Sequence, residues 1–312
     1  MAHPRRFRFA VELQGPLDEM SWADSARWAE DAGFSTLFVP DHFDEGLGPI
    51  AAMATAAAAT TTINVGSLVL AADFRHPVVL ARELATIDLL SGGRLELGIG
   101  AGWKATDYTS SGITMDAPGT RVSRMIEAVT VLRGLFSPGP FTFHGEHYDV
   151  DGLDGTPAPS RPGGPPLLIG AGAPRMLRFA GAQADIVGVN PSIHSGEIDA
   201  AAARDAQVDR IDEKLGWLRE GAGDRFDDIE LNAWLAVAEI TDDAAGTAEL
   251  LAPAFGTEPD GLLESPMVML GTVAELAEQL EVRRDRWGYS YHVIPGPSAR
   301  AFAPLVAEMA GR

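Results

Sequence analysis

An aspartate and a histidine, Asp41 and His42, directly follow the apolar residues 35–39 and Pro40. Histidine suits proton transfer near neutral pH, since its ordinary pKa lies in that range. The same pair could instead form a turn that caps the next helix. Its place immediately after a predicted strand favours catalysis, because the carboxyl ends of barrel strands carry catalytic side chains.

Glycines interrupt two further apolar segments. Gly66 and Ser67 suggest a bulge, or a close approach of backbone to a ligand. Gly98, Gly100 and Gly102 alternate at a predicted strand end, so that one face of this end carries no side chains. A flat ring or a phosphate could lie there on the backbone. Small residues that fill a crowded core would give the same pattern.

A glycine-rich turn, residues 170–173, joins a predicted strand to a predicted helix with Pro174 in its first turn. The backbone N–H groups at a helix N-terminus bind anions, and Arg175 or Arg178 could add positive charge. This pattern indicates a phosphate site, although a simple turn between strand and helix would look alike.

His144, Glu146 and His147 are the nearest approach to a metal cluster in the sequence. Neighbouring side chains at a hairpin tip point to opposite faces, and no H-E-x-x-H helix is present, so we expect no metal. The chain has no cysteine, which excludes disulfides, iron–sulfur clusters and thiol catalysis. Without a G-x-S-x-G nucleophile either, the chemistry calls for an organic cofactor.

Eight apolar segments alternate with helical patterns, which predicts a parallel sheet covered by helices. Eight units favour a closed (β/α)8 TIM barrel of the α/β class over an open sheet. An open dinucleotide-binding sheet would need G-x-G-x-x-G after its first strand, where this chain has Gln14, Gly15 and Pro16. The segments are residues 7–13, 35–39, 63–70, 95–99, 167–170, 185–189, 229–237 and 290–294.

Two features punctuate this alternation. Thr272 and Glu275 predict a capping box at the start of a late helix. Residues 136–166 carry seven prolines and six glycines around a predicted hairpin. We expect one domain over residues 1–312 in which this segment is an insertion after the fourth helix, lying over the catalytic face.

The net charge and the lack of long apolar stretches indicate which classes of partner to expect. The net charge of −20 disfavours nucleic acid and anionic membranes. No stretch of 18 apolar residues exists, and the basic N-terminus has no apolar signal region behind it. We therefore expect a cytoplasmic protein that acts on a small molecule, with no nucleic-acid or membrane partner.

Six segments resemble the luciferase-like monooxygenase superfamily, and most closely its branch dependent on the deazaflavin coenzyme F420. They are residues 29–34, 39–43, 75–83, 86–103, 170–174 and 270–272. The resemblance implies a flavin-type ring at the strand ends of a luciferase-like barrel. F420 is the implied cofactor and FMN the alternative. Relatives in this superfamily also imply a homodimer.

The resemblance further implies the site residues. Asp41 and His42 would lie beside the reactive edge of the ring, with His42 as proton donor or acceptor. A non-prolyl cis peptide bond is implied at Leu68–Val69. The residues implied to contact the cofactor are Ser67, Leu68, Val69, Gly100, Ala101, Gly102, Trp103, Gly170, Ala171, Gly172, Ala173 and Arg175.

The implied reaction is hydride transfer between F420 and a small organic substrate. An FMN-dependent monooxygenase and a flavin-binding barrel without catalysis remain open. Sugar-phosphate dehydrogenases of the family carry glutamate where this chain has Trp103, which favours an apolar or planar substrate. Many relatives likewise carry glutamate where this chain has Asp107. The anionic tail of F420 would need a basic channel, for which the candidates are Arg75, Lys104, Arg161, Arg175 and Arg178.

Overall fold

A computed structural model describes residues 5–44, 46–193, 196–197 and 199–312 of the chain. Its strands, in chain order, are β1 (Arg8–Glu12), β2 (Thr36–Val39), β3 (Asn64–Ser67), β4 (Leu70–Ala71), β5 (Leu95–Gly100), β6 (Pro140–His144), β7 (Asp149–Asp154), β8 (Leu167–Ala171), β9 (Ile186–Val189), β10 (Glu230–Trp234), β11 (Val237–Ile240), β12 (Val268–Gly271) and β13 (Tyr289–Pro295). Its helices are α1 (Trp22–Asp31), α2 (Pro49–Ala59), α3 (Pro77–Leu90), α4 (Ala105–Ser111), α5 (Pro118–Leu135), α6 (Pro174–Gln183), α7 (Ala200–Arg204), α8 (Val208–Ala222), α9 (Ala244–Phe255), α10 (Pro259–Glu264), α11 (Val273–Trp287) and α12 (Ala299–Met309).

Eight parallel strands close into a ring. Strand β1 lies between β2 and β13, with Ala10 opposite Thr36 on one side and Val293 on the other. The ring continues from β2 through β3, β5, β8, β9 and β10 to β13. Pairing of β3 with β5, which sets Val65 opposite Leu95, closes it. The predicted (β/α)8 barrel is confirmed, and its strand carboxyl ends all meet at one mouth.

Apolar side chains fill two layers. One lies between the strands and the surrounding helices, and the other fills the barrel, where Ala10, Phe38, Leu168 and Val293 are fully buried. Helix α11 packs on the outer layer. Its N-terminus has the predicted capping box, with Thr272 as the N-cap residue. Among the described residues, no helix is long and apolar enough to cross a membrane.

A hydrogen-bonded ion network closes the N-terminal end of the barrel. Arg8 pairs with Glu96 through Nη1 and with Glu230 through Nη2, each at 2.6 Å. Glu96 also accepts a hydrogen bond from the Tyr291 hydroxyl at 3.0 Å and from Asn64 Nδ2 at 2.9 Å. Burial, together with the carboxylate of Glu96, raises the pKa of Tyr291 well above its ordinary value. We call this network the barrel floor.

Two predicted strands are divided in the structure. The third strand breaks between β3 and β4, where the Leu68–Val69 peptide bond is cis, as the resemblance implied. Residues 229–237 were expected to form one strand, but β10 ends at Trp234. Beyond it, Ala236 N–H donates to Met267 O, so that β11 pairs with β12 outside the barrel. The change of hydrogen-bonding partner ends the barrel strand.

The predicted hairpin forms, as β6 and β7 pair antiparallel. Its expected place over the catalytic face is wrong. Phe141 packs against Gly134 of α5, where an added Cβ would lie 2.1 Å from the ring. The Glu127 carboxylate of α5 also accepts the N–H groups of residues 146–148. These contacts hold the hairpin along the outside of α5.

Candidate active site

A cavity of about 760 Å³ opens at the barrel mouth. All of the predicted site residues except Ser67 and Arg175 line it. Ser67 lies behind the wall, where its hydroxyl donates to Gly98 O at 2.8 Å. The lining residues that had been predicted are Asp41, His42, Leu68, Val69, Gly100, Ala101, Gly102, Trp103, Gly170, Ala171, Gly172 and Ala173.

His42 is paired with a buried carboxylate. Its Nδ1 lies 2.7 Å from Asp107 Oδ2, and Asp107 Oδ1 accepts the Phe43 N–H at 2.9 Å. A carboxylate on Nδ1 favours the tautomer with its proton there and leaves Nε2 for a bound molecule. The indole of Trp103 meets the imidazole edge-on, with ring centroids 5.6 Å apart. The mouth therefore holds an oriented imidazole that is suited to proton transfer.

The pairing of His42 with Asp107 was missed from the sequence. Asp107 had drawn attention only as a departure from the residue that many relatives carry. The two residues are 65 positions apart and lie on different βα units, after β2 and in α4. No local spacing reports such a contact. The available signal was that each residue closely follows the carboxyl end of a strand.

Asp41 is held by a cation. Its two carboxylate oxygens lie 2.6 and 3.0 Å from the guanidinium of Arg75, and Oδ2 also accepts the Ala71 N–H at 3.1 Å. The carboxylate therefore ties the end of β2 to β4 and fixes the wall beside Leu68 and Val69. Bidentate pairing of this kind constrains both groups strongly.

The glycines divide into two groups. A Cβ at Gly66 would lie 2.5 Å from Glu96 O, and one at Gly98 only 1.9 Å from Ser67 O, so these two are packing glycines. Gly100 and Gly170 line the cavity, and they too are closely packed, since a Cβ at Gly100 would lie 2.8 Å from Val69 Cγ2 and one at Gly170 3.1 Å from Asn190 Nδ2. Gly172 also lines the cavity, and a Cβ there would lie 2.7 Å from Asn190 O.

The N-terminus of α6 adjoins this wall. Its N-cap residue is Ala173, which has no side chain to accept a hydrogen bond, and Pro174 follows. The first N–H groups of a helix have no intrahelical acceptor and are available to an anion. Arg175 and Arg178 do not line the cavity. Arg175 donates to Ser123 Oγ at 3.0 Å, and Arg178 donates to Glu220 at 2.8 Å.

The cations considered for a basic channel do not converge in the described part of the chain. Lys104 lines the cavity but pairs with Asp44 at 2.6 Å, and this hydrogen bond lowers the pKa of Asp44. Arg75 is engaged by Asp41. Arg161 donates to Gly93 O, which precedes β5 and so lies at the opposite end of the barrel.

The hairpin, at whose histidines we expected no metal, lies on the surface. His144 pairs with Asp149 at 2.8 Å on the exposed hairpin. Within residues 5–44, 46–193, 196–197 and 199–312, no three histidine, aspartate or glutamate side chains are grouped to hold a metal ion.

The cavity wall away from His42 is largely apolar, although Ser192, Glu197, Gln207, Thr257 and Ser265 also line it. Helix α6, the segments between β9 and β12, and the start of β12 supply small aliphatic and thioether side chains, together with one aromatic ring. We call this part the apolar lobe. It is formed by Met176, Ile193, Ala202, Ala203, Ala206, Phe255, Leu262, Met267 and Val268.

A buried ion pair supports the apolar lobe from behind. Lys214 Nζ donates to Asp205 Oδ2 at 2.6 Å and to the backbone oxygen of Asn190 at 3.0 Å. Asp205 also accepts the Ser192 N–H at 2.7 Å. Burial lowers the pKa of Lys214, while the Asp205 carboxylate opposes that shift. Neither charged group is among the residues that line the cavity.

The model of the luciferase-like monooxygenase family matches residues 14–210, and the chain belongs to this family. An F420-dependent glucose-6-phosphate dehydrogenase of Kineococcus radiotolerans is 33% identical over 171 residues, which cover 52% of this chain and 50% of the relative. An enzyme of the same name from Nakamurella multipartita is 29% identical over 91% of this chain and 83% of its own. This chain spans about half the length of the first curated relatives that it matches.

Solved structures share the fold. The coenzyme F420-dependent tetrahydromethanopterin reductase of Methanopyrus kandleri superposes with a TM-score of 0.74 at 20% identity, over 98% of this chain and 99% of the reductase. An F420-dependent secondary alcohol dehydrogenase gives 0.72 at 21% identity, over 98% of each chain. At these identities the likeness establishes the barrel architecture alone.

Proposed function

We propose that this protein is an oxidoreductase that transfers a hydride between coenzyme F420 and a small organic substrate. The names of its relatives support the cofactor. The observation that carries the chemistry is the pairing of His42 with buried Asp107 at the wall of the mouth cavity. An oriented imidazole at the barrel mouth is suited to giving or taking the proton that accompanies a hydride.

The volume and the lining of the cavity suit a deazaflavin ring and its phosphate, whereas the cations considered for the anionic tail do not converge there. The cavity volume of about 760 Å³ lies within the range of cofactor and ligand sites. Leu68 and Val69, with the side-chain-free Gly100 and Gly170, offer an apolar surface for the ring. The uncapped N-terminus of α6 suits the phosphate. We propose that these residues hold the cofactor.

The protein's own groups would then handle the proton. Reduced F420, when bound, supplies a hydride to the substrate, and the oxidised form accepts one. His42 gives a proton to the reduced substrate from Nε2, or removes one in the reverse direction. Asp107 holds Nδ1–H and stabilises the charged imidazole. The indole of Trp103 packs edge-on against the imidazole of His42, and Arg75 holds the Asp41 carboxylate in the cavity wall.

Parallel titration of cofactor-free protein with oxidised F420 and with FMN, at moderate salt, tests the cofactor. We expect F420 to bind at least about 100-fold more tightly than FMN, a difference of about 2.7 kcal/mol. Tighter binding of FMN would overturn the proposal in favour of an FMN-dependent monooxygenase. Failure of both to bind would overturn both assignments.

Replacing Ala173 by aspartate tests the phosphate contact. An N-cap aspartate stabilises a helix, so Ala173→Asp should fold at least as well as the wild type. Its carboxylate would occupy the N–H groups and repel a phosphate. We expect F420 affinity to fall at least tenfold in isothermal titration, with an unchanged or higher melting temperature. Unaltered affinity would show that the phosphate binds elsewhere.

A further inference from the structure

We infer that the substrate is an uncharged molecule with an extended apolar body, which binds in the apolar lobe. The reaction at this substrate rests on the proposed function, whereas its binding depends on the residues of the apolar lobe. Several relatives are named for glucose 6-phosphate, an anionic sugar. The lining of this cavity is built for a different kind of molecule.

The nine residues that define the apolar lobe carry no charge. Met176, Leu262 and Met267 are largely buried, with 6%, 3% and 4% of their surface exposed, and Ala202 and Ala206 are similarly covered. Removal of apolar surface from water on both partners is the interaction that such a wall provides. An ionised ligand group among these apolar side chains would lose its hydration and gain no charged partner from them.

The charges at the mouth are already satisfied. Lys104 is the one cation among the described lining residues, and it pairs with Asp44. Asp41 and Asp107 are held by Arg75 and His42. The two remaining lining carboxylates, Glu12 and Glu197, have interactions of their own. Apart from the N-terminus of α6, which we assign to the phosphate of the cofactor, an anionic substrate would meet carboxylates without a free cation, and a cationic one would have to displace an existing partner.

Asn190 is one of several neutral polar residues that line the cavity. The side-chain oxygen of Asn190 is buried and has no hydrogen-bond partner among the described residues. Lys214 fixes the backbone of Asn190 at 3.0 Å, which holds the amide in place. The amide oxygen can accept a hydrogen bond from a hydroxyl group and supplies no charge to balance an ion. This feature favours a substrate with a neutral oxygen function on an apolar body.

A matched set of ligands tests the inference on the F420-loaded protein by isothermal titration. The set is 2-hexanone, 2-octanone, 2-decanone, decanoate and glucose 6-phosphate. We expect affinity to rise about fourfold for each added methylene of the ketone, until the lobe is filled. Decanoate should bind at least tenfold more weakly than 2-decanone. Absence of a chain-length trend, or tighter binding of either anion, would overturn the inference.

Two substitutions in α7 localise the binding. Ala203 lines the lobe, whereas Ala201 is exposed and does not. We expect Ala203→Lys to weaken 2-decanone binding at least tenfold and to strengthen decanoate binding, whereas Ala201→Lys should change neither. Equal effects of the two substitutions, or no effect of Ala203→Lys, would contradict the assignment.

The cofactor and substrate proposals fail in distinguishable ways. If the ketone series shows its trend with cofactor-free protein while F420 does not bind, the cofactor assignment falls and the lobe assignment stands. If F420 binds but the ketones show no trend, the lobe assignment falls alone.

Discussion

Buried carboxylates occur at both ends of the barrel, but they have different roles at the floor and at the mouth. At the floor, Glu96 accepts hydrogen bonds from Arg8, Asn64 and Tyr291. At the mouth, Asp107 holds His42 through one ring nitrogen, and the other nitrogen is left for a ligand. A carboxylate whose oxygens are all bonded to protein donors stabilises the fold. A carboxylate that orients an imidazole at a cavity can instead support proton transfer to a bound molecule. This division agrees with the general habit of barrels, whose active sites lie at the carboxyl ends of the strands.

The largest expected effect is the loss of activity when the histidine at the barrel mouth is replaced. Removal of the imidazole in His42→Ala should lower kcat/KM by about 100- to 10,000-fold, the usual contribution of a general acid or base. The assay is F420 turnover with the best substrate from the ketone series. Affinity for F420 and the melting temperature should change little. Unchanged turnover would remove His42 from the chemistry, and a wild type that binds F420 without any turnover would support a non-catalytic barrel.

The Asp107→Asn variant makes the same test sharper. An amide cannot stabilise a charged imidazole as a carboxylate does, so we expect kcat to fall more than KM rises. The ¹⁵N spectrum of histidine-labelled protein should show the proton of His42 on Nδ1 in the wild type and a mixture of tautomers in the variant. A merely structural role for Asp107 would leave both the tautomer and the ratio of kcat to KM effects unchanged.

Removal of the cation from the barrel floor should lower the unfolding free energy without changing activity. Arg8→Met leaves Glu96 and Glu230 buried without their cation, which typically costs about 3–5 kcal/mol of unfolding free energy. Turnover per folded molecule should not change, because the floor lies at the opposite end of the barrel from the cavity. Urea unfolding measures the first quantity and active-site titration normalises the second. The control is Arg27→Met, which removes an exposed pair with Asp24 and should matter little. A floor variant as stable as this control would contradict the comparison.

The features that could be predicted from the sequence are those determined by residues close together in the chain. The eight strands and the capping box at Thr272 follow from apolar runs and from a spacing of three residues, so the sequence was sufficient for both. The split at Trp234 depends on Met267, which is more than thirty residues away and captures the chain through a backbone hydrogen bond. Apolar content alone cannot tell which of two sheets will take a strand.

The candidate site shows the same limit. Loop positions were enough to bring Asp41 and His42 to the mouth, since both follow a strand. The destination of a long basic side chain was not predictable, because arginines reach several ångströms and take the nearest acceptor. Arg175 found Ser123, and Arg161 found Gly93. The partner of His42 required the fold itself, since it brings α4 beside the end of β2.

The smallest expected effect concerns a second histidine, His292. Comparison with His42 distinguishes a histidine that affects stability from one that takes part in the reaction. His292 lies on β13 between Phe7 and Phe9, with ring centroids 6.2 and 6.0 Å away. Burial, with a further contribution from Arg283, lowers its pKa to about 3. The unfolded chain takes up this proton near pH 6.5, while the folded protein stays neutral. The contribution to stability is therefore complete above pH 6.5 and is lost as pH falls towards 3, with a slope of up to about 1.4 kcal/mol per pH unit.

The matched variants are His292→Leu and His42→Ala. Because leucine does not titrate, the unfolding free energy of His292→Leu should fall less steeply than that of the wild type between pH 6.5 and 4, and its turnover at pH 7 should be retained. His42→Ala should show the opposite combination, with a steep acid slope like that of the wild type and little turnover. Urea unfolding at half-unit steps of pH, with turnover measured on the same samples, checks both. Parallel stability curves for wild type and His292→Leu would mean that the buried ring takes up a proton without unfolding. In that case burial alone would not distinguish a structural histidine from the one at the mouth, and only the carboxylate partner and the adjoining cavity would.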